Sequence, residues 1–347
     1  MRGPLGNRVY RHLFAAQVIA LAGTGLTTIA LALLAYELAG GEAGRVLGIA
    51  LALKMVAYVG IAPLVGAYAH RLPRRALLVG LDLVRAGMVA LLLWVDAVWQ
   101  IYLLIFLLNA GSAGFTPTFQ ATIPDVLRRE ADYTRALSLS RLAYDLENLL
   151  SPLLAALLLT LISFDRLFLI TAVAFLLSAA LVLSVVLPAG QEPLRTGGVR
   201  DNLAAGLRIY LGTPRLRGLL CLSFAVAAAG AVVIVNSVLY VRELLGRPEA
   251  DLALAMAAFG GGSMVVALVL PRLLDRVADR RAMLLGGGLM AIGLGLAALR
   301  PDFGAFLALW ALLGAGASLV QTPAGRLLRR SCHPEDRPAV YAAQFSL

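Results

Sequence analysis

Residues 63–75 read PLVGAYAHRLPRR and residues 271–281 read PRLLDRVADRR, each at the end of a long apolar run and each closing on a pair of arginines. Aligning Arg71 with Arg276 gives a spacing of 205 residues, and aligning Arg74 and Arg75 with Arg280 and Arg281 gives 206. A second landmark has the same spacing: Thr116-Pro117 and Thr322-Pro323, 206 apart, each closing a Gly- and Ala-rich helix that leads into an Arg-rich loop. Two landmarks at one period predict a chain built from two similar helical halves.

The composition says where such halves reside. Of 347 residues 60% are hydrophobic and 14% charged, with a mean hydropathy of +0.85. A water-soluble chain averages about 45–50% apolar and about 25% charged residues, so this one has too little polar surface to be wetted all round. Runs long enough to cross a bilayer, about 20 residues each, recur ten times, at roughly 12–36, 45–69, 76–95, 99–122, 137–163, 167–188, 218–241, 251–271, 282–299 and 303–325. The first run is too long for a cleavable signal, whose apolar core is about 7–15 residues. The expected fold class is an all-α membrane protein.

Arginine placement sets the orientation. Of 29 arginines, 23 fall in alternate connections if the N-terminus is cytoplasmic, five fall on the other side, and Arg85 lies inside a helix. Cytoplasmic enrichment of cations is the rule for membrane spans. The net charge of +10 is therefore a topology signal and needs no nucleic-acid partner. The polar stretch 189–217 divides an N-terminal six-helix half, 1–188, from a C-terminal part, 218–347. Within it Val199, Leu203, Leu207 and Leu211 recur at i+4, which predicts an amphipathic helix on the membrane face.

Several chemistries are excluded. A phosphate-cradling loop needs Gly-Lys-Ser/Thr, and the single lysine, Lys54, sits between Leu53 and Met55. Cys221, Cys332, His12, His70 and His333 have no zinc-ligand spacing, and two cysteines make no disulfide framework. No cofactor is expected.

The chain resembles the major facilitator superfamily, and within it the bacterial drug:proton antiporter-3 group, the transmembrane secretion effectors that include macrolide-efflux and enterobactin-exporter-like proteins. The loop Gly66 to Arg75, with His70, Arg71, Arg74 and Arg75, is similar to the family's G-x-x-x-D-R-x-x-R-R signature, and Leu81 to Ala86 follows it. Ser138-Leu139-Ser140-Arg141, Ser151-Pro152-Leu153-Leu154, Gly206 to Tyr210 and Pro214 to Arg217 carry the resemblance further. It implies two six-helix halves rocking around a midplane cavity, powered by a proton gradient, in a bacterial inner membrane. His70 departs from the signature's acid, whereas the second copy keeps Asp275 beside Arg276, Arg280 and Arg281. A neutral imidazole brings no negative charge to a helix terminus, so a weaker or pH-sensitive gate is expected there.

Charged residues inside spans are costly and mark function. Lys54 lies about 14 Å from the outer end of its helix at 1.5 Å per residue, and Glu147 lies at a comparable depth on helix 5. A Lys54–Glu147 pair is the preferred expectation, with Asp145 and Asn148 as neighbours. Asp82 and Arg85 at i,i+3, and Arg141 and Asp145 at i,i+4, are expected to pair, mainly as a cytoplasmic-side scaffold and secondarily as proton-pathway groups. Gln17, Thr24 and Thr28 share one face of helix 1, and Asn109, Ser112, Asn236, Ser237 and Gln321 are the matching polar positions elsewhere, all candidates to line a cavity. Helices 7 to 10 hold no deep charge, so coupling charges are expected in the first half.

The functional expectation is a monomeric secondary transporter, in contact with the bilayer and a small-molecule substrate, that exports a small amphipathic compound in exchange for protons and makes no covalent bond. A siderophore or lipid-like metabolite is the alternative cargo, and a non-transporting scaffold or remnant the alternative class. By the repeat arithmetic Leu347 corresponds to about position 142 of the first half, so helix 11 is expected to start at the chain end and helices 11 and 12 to be missing from a truncated sequence.

Overall fold

The computed structural model describes residues 3–68, 72–188, 207–247, 250–274, 277–299, 301–334 and 336–346. His70, Arg71, Asp275, Arg276 and most of the expected linker helix lie outside these residues. Within them the chain is helical: α1 Arg8–Ala39, α2 Ala43–Tyr68, α3 Arg74–Leu91, α4 Val98–Val126, α5 Glu130–Leu159, α6 Asp165–Leu183, α7 Pro214–Leu239, α8 Ala250–Leu273, α9 Asp279–Ala297, α10 Phe303–Ser331 and α11 Arg337–Ser346. Among the described residues nine apolar stretches are long enough to cross a membrane, and the first, Arg8–Val65, takes in α1 and most of α2. Among the described residues this makes ten spanning helices, followed by the short α11.

Local chemistry sets several of the boundaries. The Asn7 side chain accepts from the Tyr10 amide at 3.1 Å and caps α1. Gly40, at φ +51°, ends that helix in a backbone region that favours glycine and turns the chain into α2. The Gln100 carbonyl oxygen reaches back to the amides of Asp96 and Ala97, at 2.8 and 3.1 Å, and closes the start of α4. Three expected boundaries move. Pro117 and Pro323 lie inside α4 and α10, which run on to Val126 and Ser331, past the expected run ends at 122 and 325. α5 begins at Glu130, seven residues earlier than expected, because Glu130 and Asp132 suit the positive end of a helix dipole. Arg135, counted above with the cytoplasmic connections, therefore lies inside α5, as does Arg141, which the expected run 137–163 already included.

The helices form two compact units. Unit one comprises Met1–Arg128, Leu150–Gly212 and Cys332–Leu347; unit two comprises Arg129–Leu149 and Thr213–Ser331. In unit one α1 packs on α6, α3 on α4 and α6, and α2 on α4, while α11 lies on α2 and α4. Its core is aliphatic and aromatic, with Leu26, Val89, Ile101, Phe168 and Phe175 buried. In unit two α10 is central and packs against α7, α8 and α9. The outward surface is apolar: Leu169, Ile170, Val173, Leu176 and Leu177 make an exposed face along α6, as a lipid-contacting helix requires.

Packing at two places repeats across the units. A Cβ built on Gly111 of α4 would lie 3.0 Å from Arg85 Cγ, and one on Gly316 of α10 would lie 2.6 Å from Met290 Cγ; Gly111 and Gly316, like Arg85 and Met290, are 205 residues apart. The sequence period is thus a packing period.

The tightest approach is α8 on α10, where a Cβ on Gly314 would sit 1.8 Å from the Phe259 carbonyl oxygen. Gly314→Ala is expected to cost about 1–3 kcal/mol by overpacking, read as a lower melting temperature of the purified protein in detergent. Gly260→Ala, with nothing within 4 Å, is the control and does not lower the melting temperature.

Candidate transport and coupling site

The described helices carry two buried polar networks at mid-height. In unit two, Arg141 and Asp145 share one face of α5 and pair at 3.0 Å. Asp145 lies halfway along the 30-residue α5, and Ser263 lies halfway along the 24-residue α8. Ser263 donates to Asp145 at 2.6 Å and accepts from Arg141 Nε at 3.1 Å. Arg141 also donates to the Gln321 side chain on α10 at 2.5 Å. Three helices thus meet on one buried carboxylate, which is 5% exposed, and one guanidinium. The charges come from the first half of the sequence and are lodged among α8 and α10.

In unit one Asp82 and Arg85 of α3 pair and are both buried. Ser178 on α6 donates to Asp82 at 2.7 Å. Phe115 and Phe175 flank the guanidinium, with ring centroids 4.1 and 4.4 Å away, so the cation is held by two ring faces and one carboxylate. The corresponding positions of the other repeat, Gly287 and Met290, carry no charge.

The remaining candidates fall in both units. Lys54 is half-buried, about 16 Å into α2, and belongs to unit one. Glu147, also half-buried, belongs to unit two with Asp145, while Asn148 is exposed and donates to the Tyr144 carbonyl at 3.0 Å. On α1 Gln17 is buried but Thr24 and Thr28 are exposed, and each threonine donates to its own helix one turn back. Asn109 and Ser112 likewise bond Ile105 and Leu108 carbonyls within α4. Ser237 of α7 is buried and accepts from the Trp310 indole at 2.7 Å; Asn236 and Gly66 fall within α7 and α2. Arg280 and Arg281 are exposed at the start of α9, and Arg75 donates to the Leu183 carbonyl.

Two ion clusters at the arginine-rich helix ends escaped sequence reasoning. In unit one Arg74 and Arg337 both pair with Asp125, the latter at 2.9 Å. In unit two Asp279 pairs with Arg330 at 2.9 Å and Arg326 at 3.2 Å, and Glu130 joins both arginines. Arg74 to Asp125 and Asp279 to Arg330 each span 51 residues. The two pairs are 205 apart with their charges reversed. That shared spacing is the signal that could have found them.

A helical chain of two repeats, with apolar outer faces and paired charges within its spans, is a multi-pass membrane protein. The profile of the Major Facilitator Superfamily matches residues 13–345, and the chain belongs to that superfamily of transporters, which are not enzymes. It is 26% identical over 269 residues to an uncharacterized MFS-type transporter, YfiS, of Bacillus subtilis (strain 168), covering 75% of this chain and 63% of that protein. The chain spans 63% of the length of that curated relative. Among solved structures it is similar to the fucose:proton symporter of E. coli, with a TM-score of 0.76, 15% identity and coverage of 97% of this chain and 87% of that one. A bacterial homologue of the iron transporter ferroportin, in its outward-facing state, gives 0.75 at 15% identity, with coverage of 97% and 89%. At that identity the likeness is one of fold.

Asp82→Ala strands the Arg85 charge and is expected to cost about 3–5 kcal/mol, seen as a large fall in melting temperature. Copying the other repeat, Asp82→Gly with Arg85→Met, is expected to recover most of that loss. Burial pushes the Cys332 thiol, in the bend between α10 and α11, up to about 12, with Asp336 adding to the shift and Arg337 opposing it. A thiol so raised stays protonated far above neutrality, with thiolate on the order of one in ten thousand at pH 8. Intact-mass measurement after iodoacetamide treatment is expected to show Cys332 unmodified at pH 8 and alkylated only as pH approaches its raised value.

Proposed function

We propose that the chain is a secondary transporter that moves a small amphipathic compound out of a bacterial cell in exchange for protons, by alternating access around a midplane site. The reading includes a cytoplasmic N-terminus in the inner membrane, monomeric action and membership of the drug:proton antiporter-3 group. The observation that carries it is the Asp145, Arg141, Ser263 and Gln321 network halfway along α5, α8 and α10. An ionisable pair at that depth is costly to insert and is characteristic of proton relays. Protonating Asp145 cancels the charge that holds Arg141 and frees both side chains to rearrange, which links proton uptake to the packing of three helices. Lys54 and Glu147 are the second pair of coupling groups in this reading, and Gln321, exposed beside the network, is its substrate-facing member.

Purified protein in proteoliposomes loaded with a pH-reporting dye tests the proposal against a panel of lipophilic cations, ethidium among them, and hydrophobic carboxylates. Proton movement that depends on an added compound is expected, and it is lost in Asp145→Asn while compound binding persists. Proton movement in none of the panel would favour a scaffold. Lys54→Met and Glu147→Gln, singly and together, are expected to shift the pH dependence of transport by the same amount.

A further inference from the structure

The network around Asp145 does not stand alone on its helices. Along α5 the residues Glu130, Thr134, Ser138, Arg141 and Asp145 recur every three or four positions, so they form one polar stripe from the arginine-rich helix end to the helix middle. Along α10 Ser318, Thr322, Arg326 and Arg330 recur every four. The two stripes run side by side. Arg326 bonds Glu130 at 3.0 Å, Tyr133 donates to the Gly325 carbonyl at 3.1 Å, and Arg141 reaches Gln321. A Cβ on Gly325 would sit 2.8 Å from Leu137, so the helices touch there.

Between the ion cluster and the Asp145 network lie Ser138 and Thr322, with Ser318 beyond them on α10. All three are more than nine-tenths buried. Their hydroxyls bond to no protein group among the described residues, although a buried hydroxyl left unpaired costs about 1–3 kcal/mol. Three such groups in one seam are a poor way to pack two helices. They are a good way to pass a proton, because a hydroxyl donates and accepts at once and buried water bonds readily to such groups.

We propose that the α5–α10 seam is the proton route of this protein, running from Glu130 and Asp279 at the arginine-rich end through hydrated Ser138 and Thr322 to Asp145. During export the proton held on the neutral Asp145 carboxyl passes along bridging water and the hydroxyls to bulk water at the arginine-rich end, leaving the carboxylate, and the same route protonates Asp145 in reverse when that end is acidified. Arg141 on α5 is the charged group facing Asp145, Ser263 faces it from α8, and Gln321 of α10 reaches it through Arg141. At the entrance Glu130 and Asp279 face Arg326 and Arg330. This inference rests on the reading of Asp145 as a proton carrier and adds the path that connects it to the arginine-rich end.

Infrared difference spectroscopy of the purified protein in lipid, after a pH jump, tests it with the proton as the only probe. A carboxyl band absent from Asp145→Asn is expected. Its rise is expected to slow about ten-fold when the seam loses its hydroxyls, in Ser138→Ala with Thr322→Val. Ser138→Thr and Thr322→Ser keep a hydroxyl and are expected to keep the rate. An Asp145 band that rises at the unaltered rate in the double variant overturns the seam and leaves the proton-carrier reading standing. No carboxyl band removed by Asp145→Asn overturns both.

Discussion

A charge placed halfway along a membrane-spanning helix is out of reach of bulk water, so its partner must come from the protein. That constraint organises the interior of both units. Asp145 holds a guanidinium and a serine hydroxyl, and Asp82 does the same with different neighbours. In each case the third group comes from another helix, which makes the ion pair a fastener of helices as well as a local bond. Apolar helices gain little from touching one another when lipid is equally apolar, so small residues and polar fasteners carry the specificity of packing. The close approach at Gly314 and the network at Ser263 lie on the same pair of helices, α8 and α10, and each allows the other.

Much of the fold was legible in the sequence because its signals are periodic. Ten apolar runs became ten helices, and the spacing of 205–206 reappears as Gly111 under Arg85 and Gly316 under Met290. Helix ends were less legible. Pro117 and Pro323 read as terminators, yet a spanning helix tolerates proline where neighbouring helices satisfy the backbone groups it frees. Of the polar candidates, the i,i+3 and i,i+4 pairs could be read from helix geometry alone. Ser263 could not, since a lone serine after three glycines carries no periodic mark. Thr24 and Thr28 show the opposite case. Their spacing with Gln17 defines a face, but each hydroxyl is satisfied by its own backbone, which spacing alone does not reveal.

The two repeats share a backbone plan and differ in chemistry. Where α3 presents Arg85 to α4, α9 presents Met290 to α10. An unbranched thioether follows much the same path as the stem of an arginine, so the packing survives the loss of charge. Unit two obtains its deep charges from the first part of α5 instead. The halves are therefore similar as solids and unlike as electrostatic objects.

The reversed signs at the arginine-rich ends bear on how such a chain assembles. A protein with two look-alike halves risks pairing a helix with the wrong copy of its neighbour. Here α3 brings Arg74 and its proper partner brings Asp125, whereas the look-alike of that partner, α10, would bring Arg330 to the same place. The converse exchange would set Asp279 against Asp125. Either mistake puts two like charges at the position where the correct pairing closes an ion pair, so the polarity of one contact tells each helix which half it belongs to.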